Sequence, residues 1–485
     1  MAGIGFELKK LFAKKGVLNS AKAYGYAAVI CTGPMLLGVL LLLGITTLCG
    51  IAKTDLHTRE VLVCMITYTL LASVSVTSFF SMVVTRFVAD MLFEEKKGAV
   101  LPAFWGSTVL MMAIGSVLYG VFLGFSGVTP AQGILCFILF NELVIVWNAM
   151  GFLSAIKDYK GIFLSFLTSV AVSLLMGALL LWLGLPVVEA MLFAVTLGYG
   201  VMLVWDVILL HRYFPHTSLG AFSFLKWVDC FWPLALSGLF MNIGMFSHIV
   251  IMWFSDIGVR VHGLFYSAPW YDVPALLAFM TALMTTVNFV VSVEVNFYPK
   301  YRNHYSLYND KGTIDNIKQA EKEMIGTLKT ELFYTALKQL LFTAVVIALG
   351  GYVLELLPLG FNEIMRGYFR TLCVGYGIYA IGNMLFLIQL YLTDYAGAFV
   401  TSGIFAVTSL SFTVVSLFFP NLYYGFGFLL AALVFATAAV IRLNYFLKRL
   451  PYYILSVQPL VSEDRSGIFT RLGEFLEDTL EGHKK

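Results

Sequence analysis

Charge is scarce in this chain. Of its 485 residues only 12% are Asp, Glu, Lys or Arg, against 60% hydrophobic residues, a balance that excludes an ordinary water-soluble domain. Cysteine is scarce too. Cys31, Cys49, Cys64, Cys136, Cys230 and Cys373 fall in or at the ends of apolar segments without any CxxC spacing, which argues against a disulfide framework or a zinc site. Signatures of catalysis are missing as well: there is no DxD or QxxRW of a membrane glycosyltransferase, no P-loop, no GxSxG and no HExxH. These absences argue against an enzyme and give no reason to expect a metal or cofactor. The net charge of +3 carries no sign of nucleic-acid binding.

What the chain has is apolar length. A membrane-spanning helix needs about 20 mainly apolar residues, and such segments are predicted near 24–51, 61–89, 101–126, 132–156, 162–184, 187–210, 227–255, 273–293, 334–357, 368–392, 397–419 and 424–447. The fold class is therefore an all-α integral membrane protein of about twelve transmembrane helices. The first segment is too long for a signal-peptide core and lacks a small-residue cleavage site. Of the 31 Lys and Arg, only Lys53, Arg59, Arg260, Arg366 and Arg370 fall in odd-numbered loops, so the positive-inside rule places both termini in the cytoplasm.

An even count suggests two six-helix lobes, and one repeat supports the division. After the fourth helix the chain reads Asp158-Tyr159-Lys160-Gly161-Ile162-Phe163, and after the tenth Asp394-Tyr395-Ala396-Gly397-Ala398-Phe399. Pro34 in the first helix and Pro233 in the seventh are a weaker echo, either as helix breaks or as harmless kinks. The expected organisation is an amphipathic leader 1–23, an N-lobe 24–226, a C-lobe 227–447 with a cytoplasmic loop 294–333, and a tail 448–485. Within that loop Ile314, Ile317, Met324, Leu328 and Leu332 recur at helical spacing among Lys318, Lys322 and Lys329. The tail repeats the device with Ile468, Leu472, Phe475, Leu476 and Leu480 against Glu474, Glu477, Asp478 and Glu481, a face suited to a protein partner or simply to solvent.

Ionisable groups at membrane depth mark a pathway or an internal pair. Glu142 is the clearest, flanked by Asn141 and Asn148 in the fourth helix, while Asn242, Asn288 and Asn383, with Gln389, add amides from later helices. They suggest either a polar substrate cavity between lobes or interhelical hydrogen bonds. His248 suits a hydrogen-bonded structural role. Trp270, Tyr271 and Asp272 fall at the outer mouth between helices seven and eight, where they form either a sugar-binding surface or part of an aromatic belt. Arg86 and Glu294 end the second helix of each lobe and suggest a gate ion pair, with snorkelling of Arg86 as the alternative.

Longer strings carry a resemblance. Met1-Ala2-Gly3-Ile4-Gly5-Phe6-Glu7-Leu8, Ala89-Asp90-Met91-Leu92-Phe93-Glu94-Glu95-Lys96, and the run from Tyr271-Asp272-Val273-Pro274 to Glu294-Val295-Asn296-Phe297-Tyr298-Pro299-Lys300-Tyr301-Arg302 resemble the PelG family of the Pel exopolysaccharide export machinery. The resemblance implies a multidrug/oligosaccharidyl-lipid/polysaccharide flippase fold in the cytoplasmic (inner) membrane and export of an N-acetylgalactosamine-rich polysaccharide for biofilm matrix. It also implies a cytosolic glycosyltransferase and membrane proteins that sense cyclic di-GMP as partners. In related flippases the cavity is lined chiefly by helices one, two, seven and eight, which would set Glu142 and Asn383 off it. Two rival readings stand beside export: a cation-coupled flippase for drugs or lipid-linked oligosaccharide, with Glu142 as its coupling carboxylate, and a non-transporting scaffold for the glycosyltransferase.

Overall fold

The computed structural model describes residues 17–156, 158–215, 220–309, 312–356, 361–456 and 467–482. Among them are twelve helices long and apolar enough to cross a membrane, and each overlaps one of the segments expected from hydropathy. They are α1 (Val17–Ile51), α2 (Leu56–Phe93), α3 (Val100–Phe125), α4 (Pro130–Ala155), α5 (Tyr159–Trp182) and α6 (Val187–Tyr213), then α7 (Trp232–Trp253), α8 (from Pro269 to Asn309 in several pieces), α9 (Ile314–Leu356), α10 (Glu363–Tyr391), α11 (Tyr395–Ser416) and α12 (Phe426–Lys448). The leader, apart from its last residues, lies outside the described part of the chain.

Helix starts follow from local chemistry. The Asp55 carboxylate accepts from the Thr58 amide at 2.9 Å to open α2, Thr129 and Gln132 form a reciprocal capping box before Pro130 opens α4, and Asn362 caps α10 by accepting from the Met365 amide at 2.8 Å. Each supplies an acceptor for amides that the helix itself leaves unpaired.

Two expectations are corrected here. The eighth segment does not end near 293: α8 runs on through a π-helical turn at Ser292–Phe297 and an α-helix at Tyr298–Asn309. The amphipathic stretch of the supposed loop and the ninth span are one helix, α9, of 43 residues. Met324 and Leu328 are buried with Phe297, Leu385 and Phe446, whereas Lys318, Lys322 and Lys329 are exposed. Ile314, expected on the apolar face, is also exposed.

The chain divides into two compact units. The N-terminal unit comprises Gly33–Ile243, Gly258–Ser267 and Leu460–Lys485, and the C-terminal unit Met1–Thr32, Gly244–Ile257 and Ala268–Pro459. The unit boundaries thus pass through α1 and α7 and give two further segments to the N-terminal unit. One is a hairpin of Val259–His262 and Phe265–Ser267, where Gly263 at φ +54° would set any Cβ 1.6 Å from the Ser126 carbonyl; only glycine fits there. The other is the tail helix Ile468–Gly482. Asp229, in the short helix Leu225–Cys230, accepts from the amides of Phe469 and Thr470 and from the Thr470 hydroxyl, and Glu477 accepts from the Phe222 amide at 3.0 Å. The tail helix therefore docks on its own chain.

Candidate functional site

Glu142 lies in the middle of α4, half-buried, with its Oε2 enclosed and without a hydrogen-bond partner among the described residues. It lines a groove between α4 and α6 of about 900 Å³, walled by apolar side chains such as Ile138, Leu197, Val204 and Trp205 and ending at Arg212. That volume lies within the range of small-molecule sites. Gly200 of α6 makes room for the carboxylate, since a Cβ there would stand 3.1 Å from Oε1. Ile138, Phe193, Val204 and Ile208 are about half exposed, so the groove opens outward from the N-terminal unit.

The neighbouring amides do not share it. Asn141 accepts from Ser116 at 2.7 Å, and Asn148 donates to Ser107 and Thr108 at 2.9 Å; both fasten α4 to α3. Beside Asn148 a void of about 10 Å³, lined by Thr77, Ser81 and Trp147, is the size of one water. Asn242 accepts from Ser75 of α2 at 3.1 Å. In the C-terminal unit Asn288 accepts from Lys338 of α9 at 3.4 Å, Gln389 accepts from Thr401 at 3.0 Å, and Asn383 is half-buried in α10.

The aromatic stretch at the start of α8 divides. Trp270 is exposed, but Tyr271 is fully buried and pairs its hydroxyl with His248 Nδ1 at 2.8 Å, while Tyr376 pairs with His248 Nε2 at 3.2 Å. Both ring nitrogens are thus used, as a neutral imidazole permits. Asp272 accepts from the Trp253 indole at 3.0 and 3.1 Å and from the Ala268 amide at 3.0 Å. Tyr271 and Asp272 are committed to packing and offer no open sugar platform. At the proposed gate, the Arg86 Nη2 meets Asp90, one turn away on the same helix, at 2.9 Å, and Trp227 donates to the same carboxylate at 2.9 Å. The Glu294 side chain lies outside the described residues.

Two polar residues escaped sequence reasoning. Gln339 of α9 is fully buried against the break in α8 at Met280–Ala282. Its Nε2 donates to the Thr281 carbonyl at 3.0 Å and its Oε1 accepts from the Thr285 amide at 3.1 Å, so one amide side chain inserts between two groups that a regular helix would pair with each other. Asp206 of α6 is fully buried with both oxygens unpartnered among the described residues. The signal for it was a single acid inside the apolar run Leu203-Val204-Trp205-Asp206-Val207-Ile208.

The PelG exopolysaccharide exporter (EPS-E) family matches this chain over residues 1–455. The chain belongs to the PelG family. Solved transporters share the fold of this PelG-family chain: the eukaryotic MATE transporter AtDTX14 is 12% identical with a TM-score of 0.57, covering 94% of this chain and 99% of that one. A MOP-superfamily transporter from Pyrococcus furiosus is 14% identical with a TM-score of 0.55, covering 89% and 96%. A MATE transporter in its outward-facing and inward-facing forms gives TM-scores of 0.53 for both, at 14% identity, with 89% and 96% covered in the first and 87% and 99% in the second. The likeness is thus to the two-lobed, twelve-helix fold and not to one state of it. No curated protein matches the chain by sequence.

Proposed function

We propose that this chain moves an exopolysaccharide, N-acetylgalactosamine-rich as in the Pel system, across the cytoplasmic membrane as part of a synthase-dependent export complex. The observation that carries the reading is the family match over residues 1–455, joined to a transporter fold with twelve candidate spans. In this reading both termini are cytoplasmic, and a cytosolic glycosyltransferase and cyclic di-GMP-sensing membrane proteins are the partners. The glycosyltransferase docks on the exposed Lys318, Lys322 and Lys329 face of α9. Cargo passes the half-buried Asn242, with Trp270 at the outer mouth. Glu142 contributes from the lateral groove, and Arg86 exchanges Asp90 for Glu294 when the gate closes.

Purified chain in vesicles, offered labelled polymer, lipid-linked oligosaccharide and a cationic drug in turn, tests the reading. Movement of polymer supports export. Movement of either other cargo alone replaces export with a cation-coupled flippase, and no movement with retained glycosyltransferase binding leaves a scaffold. Glycosyltransferase binding undiminished after charge reversal of the three lysines removes the proposed dock.

A further inference from the structure

The turns that open α5 and α11 repeat in backbone as well as in sequence. Asp158 has φ −84° and ψ 63°, Asp394 φ −80° and ψ 66°, and each accepts from the amide of the glycine three residues on at 3.0 Å. In the C-terminal half the carboxylate of Asp394 is then filled from α12: Arg442 Nε and Nη2 reach its two oxygens at 2.8 and 2.6 Å. This bidentate, charge-assisted pair leaves Asp394 fully satisfied.

Arg442 stands 48 residues beyond its turn aspartate, and the residue at the same interval beyond Asp158 is Asp206 of α6. One half has a guanidinium at this place and the other has a second acid. Asp206 is fully buried, neither of its oxygens has a hydrogen-bond partner among the described residues, and it lies close enough to Asp158 for their charges to interact. Ser165 of α5 is beside it, yet donates its proton to the Ile162 carbonyl at 2.9 Å. Its hydroxyl oxygen also adjoins the Asp206 carboxyl. One turn further along α5, the Ser169 hydroxyl is also buried and unpartnered.

Several ionisable groups on the surrounding elements are engaged elsewhere. Glu142 of α4 lies against Gly200, Arg212 at the end of α6 lines the outward groove, and Tyr213 donates to Asp158 at 3.2 Å. Arg86 of α2 is bound by Asp90. A carboxylate enclosed in a membrane segment beside a like charge is strongly disfavoured unless a positive charge joins it.

We propose that Asp206, with Asp158 and the hydroxyl oxygen of Ser165, binds one monovalent cation, a proton or a sodium ion, where the other half of the molecule keeps Arg442. The donor set is all oxygen, which suits a hard cation. The site needs nothing from the export reading, because it is defined by binding alone.

The test uses the full chain, purified in detergent without cargo, and reads its unfolding midpoint, which rises when a ligand binds only the folded state. The midpoint is followed against sodium chloride at alkaline pH, with choline chloride holding ionic strength, and separately against falling pH in choline. A sodium-dependent rise identifies sodium, and a rise on acidification with no sodium response identifies a proton. Either response must vanish in Asp206→Asn. Asp206→Arg, which restores the pairing of the other half, should fold as stably as the parent and respond to neither. Ser165→Ala should raise the sodium concentration needed by about tenfold and leave a proton response unchanged. A parent chain that responds to neither cation, or an Asp206→Asn chain that keeps the full response, overturns the site. If both Asp206 variants fail to fold, Ser165→Ala and Asp158→Asn decide: unshifted sodium and pH responses in both overturn it equally.

Discussion

The helical pairs α5–α6 and α11–α12 begin from the same capped turn and are then fastened in different ways. In α11–α12 the rings of Phe405 and Phe435 stack with centroids 4.7 Å apart, and Arg442 grips Asp394. In α5–α6 the contact is a row of buried serines, Ser165, Ser169 and Ser173, against Gly198, where a Cβ would stand 1.9 Å from the Ser173 hydroxyl. Two acids from each unit differ in the same way: Asp272 and Asp394 in the C-terminal unit are hydrogen-bonded, whereas Glu142 and Asp206 in the N-terminal unit each keep at least one oxygen without a partner among the described residues. A repeat can preserve a backbone while only one copy has a permanent countercharge, and the copy without one is where exchangeable chemistry is to be sought.

The comparison breaks first at Arg442. Replacing it by Leu strands the Asp394 carboxylate, 3% exposed, and should cost about 3 to 5 kcal/mol, read as a large fall in unfolding midpoint. Asp206→Asn should cost less than about 1 kcal/mol, because the amide removes a charge that has no protein partner. Equal losses would show that the halves are fastened alike. Next comes Gln339→Leu, expected to cost about 2 to 3 kcal/mol because it leaves backbone groups of Thr281 and Thr285 buried and unpaired. Asn148→Leu should cost only about 0.6 kcal/mol, since the Ser107 and Thr108 hydroxyls can turn to their own helix. Glu142→Gln should leave stability within about 0.5 kcal/mol yet abolish polymer export by reconstituted vesicles. Normal export would confine Glu142 to packing.

The most local effect is expected at a partnered acid outside the membrane segments. Burial works to raise the Asp229 carboxyl, but hydrogen bonds from the Thr470 hydroxyl and from the amides of Thr470, Phe469 and Gly467 outweigh it and hold the group below its ordinary value of 3.8. A depressed carboxyl contributes stability above its unfolded value and loses it as pH falls through the lower folded value. The tail helix should therefore stay docked at neutral pH and loosen only below about pH 4. Asp229→Ala should weaken docking by about 1 kcal/mol, read as faster amide hydrogen exchange confined to Ile468–Gly482.

All twelve spans were legible because hydropathy averages over about 20 residues and each run is that long. The ends of α8 and α9 were not. Hydropathy falls where a helix leaves lipid, whereas the helix stops only where its backbone is broken, and no proline stands between Ile314 and Leu356. Glu142 could be picked out alone, but the roles of Asn141, Asn148 and Asn242 could not, because their partners lie on other helices 25 to 167 residues away. Asp206 was passed over for the opposite reason: one acid barely lowers the mean of an apolar run. The meaning of the repeat lay one step beyond the matched letters, in a position where the two copies carry opposite charges.

At about 1.5 Å per residue, α9 is about 65 Å long, roughly twice the thickness of a bilayer's hydrocarbon core. Its middle is held by Gln339, and the Met324–Leu328 stretch is packed with the ends of α10 and α12. Moving as one body, a helix of this length would carry a point about 30 Å along its axis by about 5 Å for a tilt of about 10°. Its N-terminal part bears Lys318, Lys322 and Lys329. Any protein seated there would feel each tilt of the helix as a change in its own position.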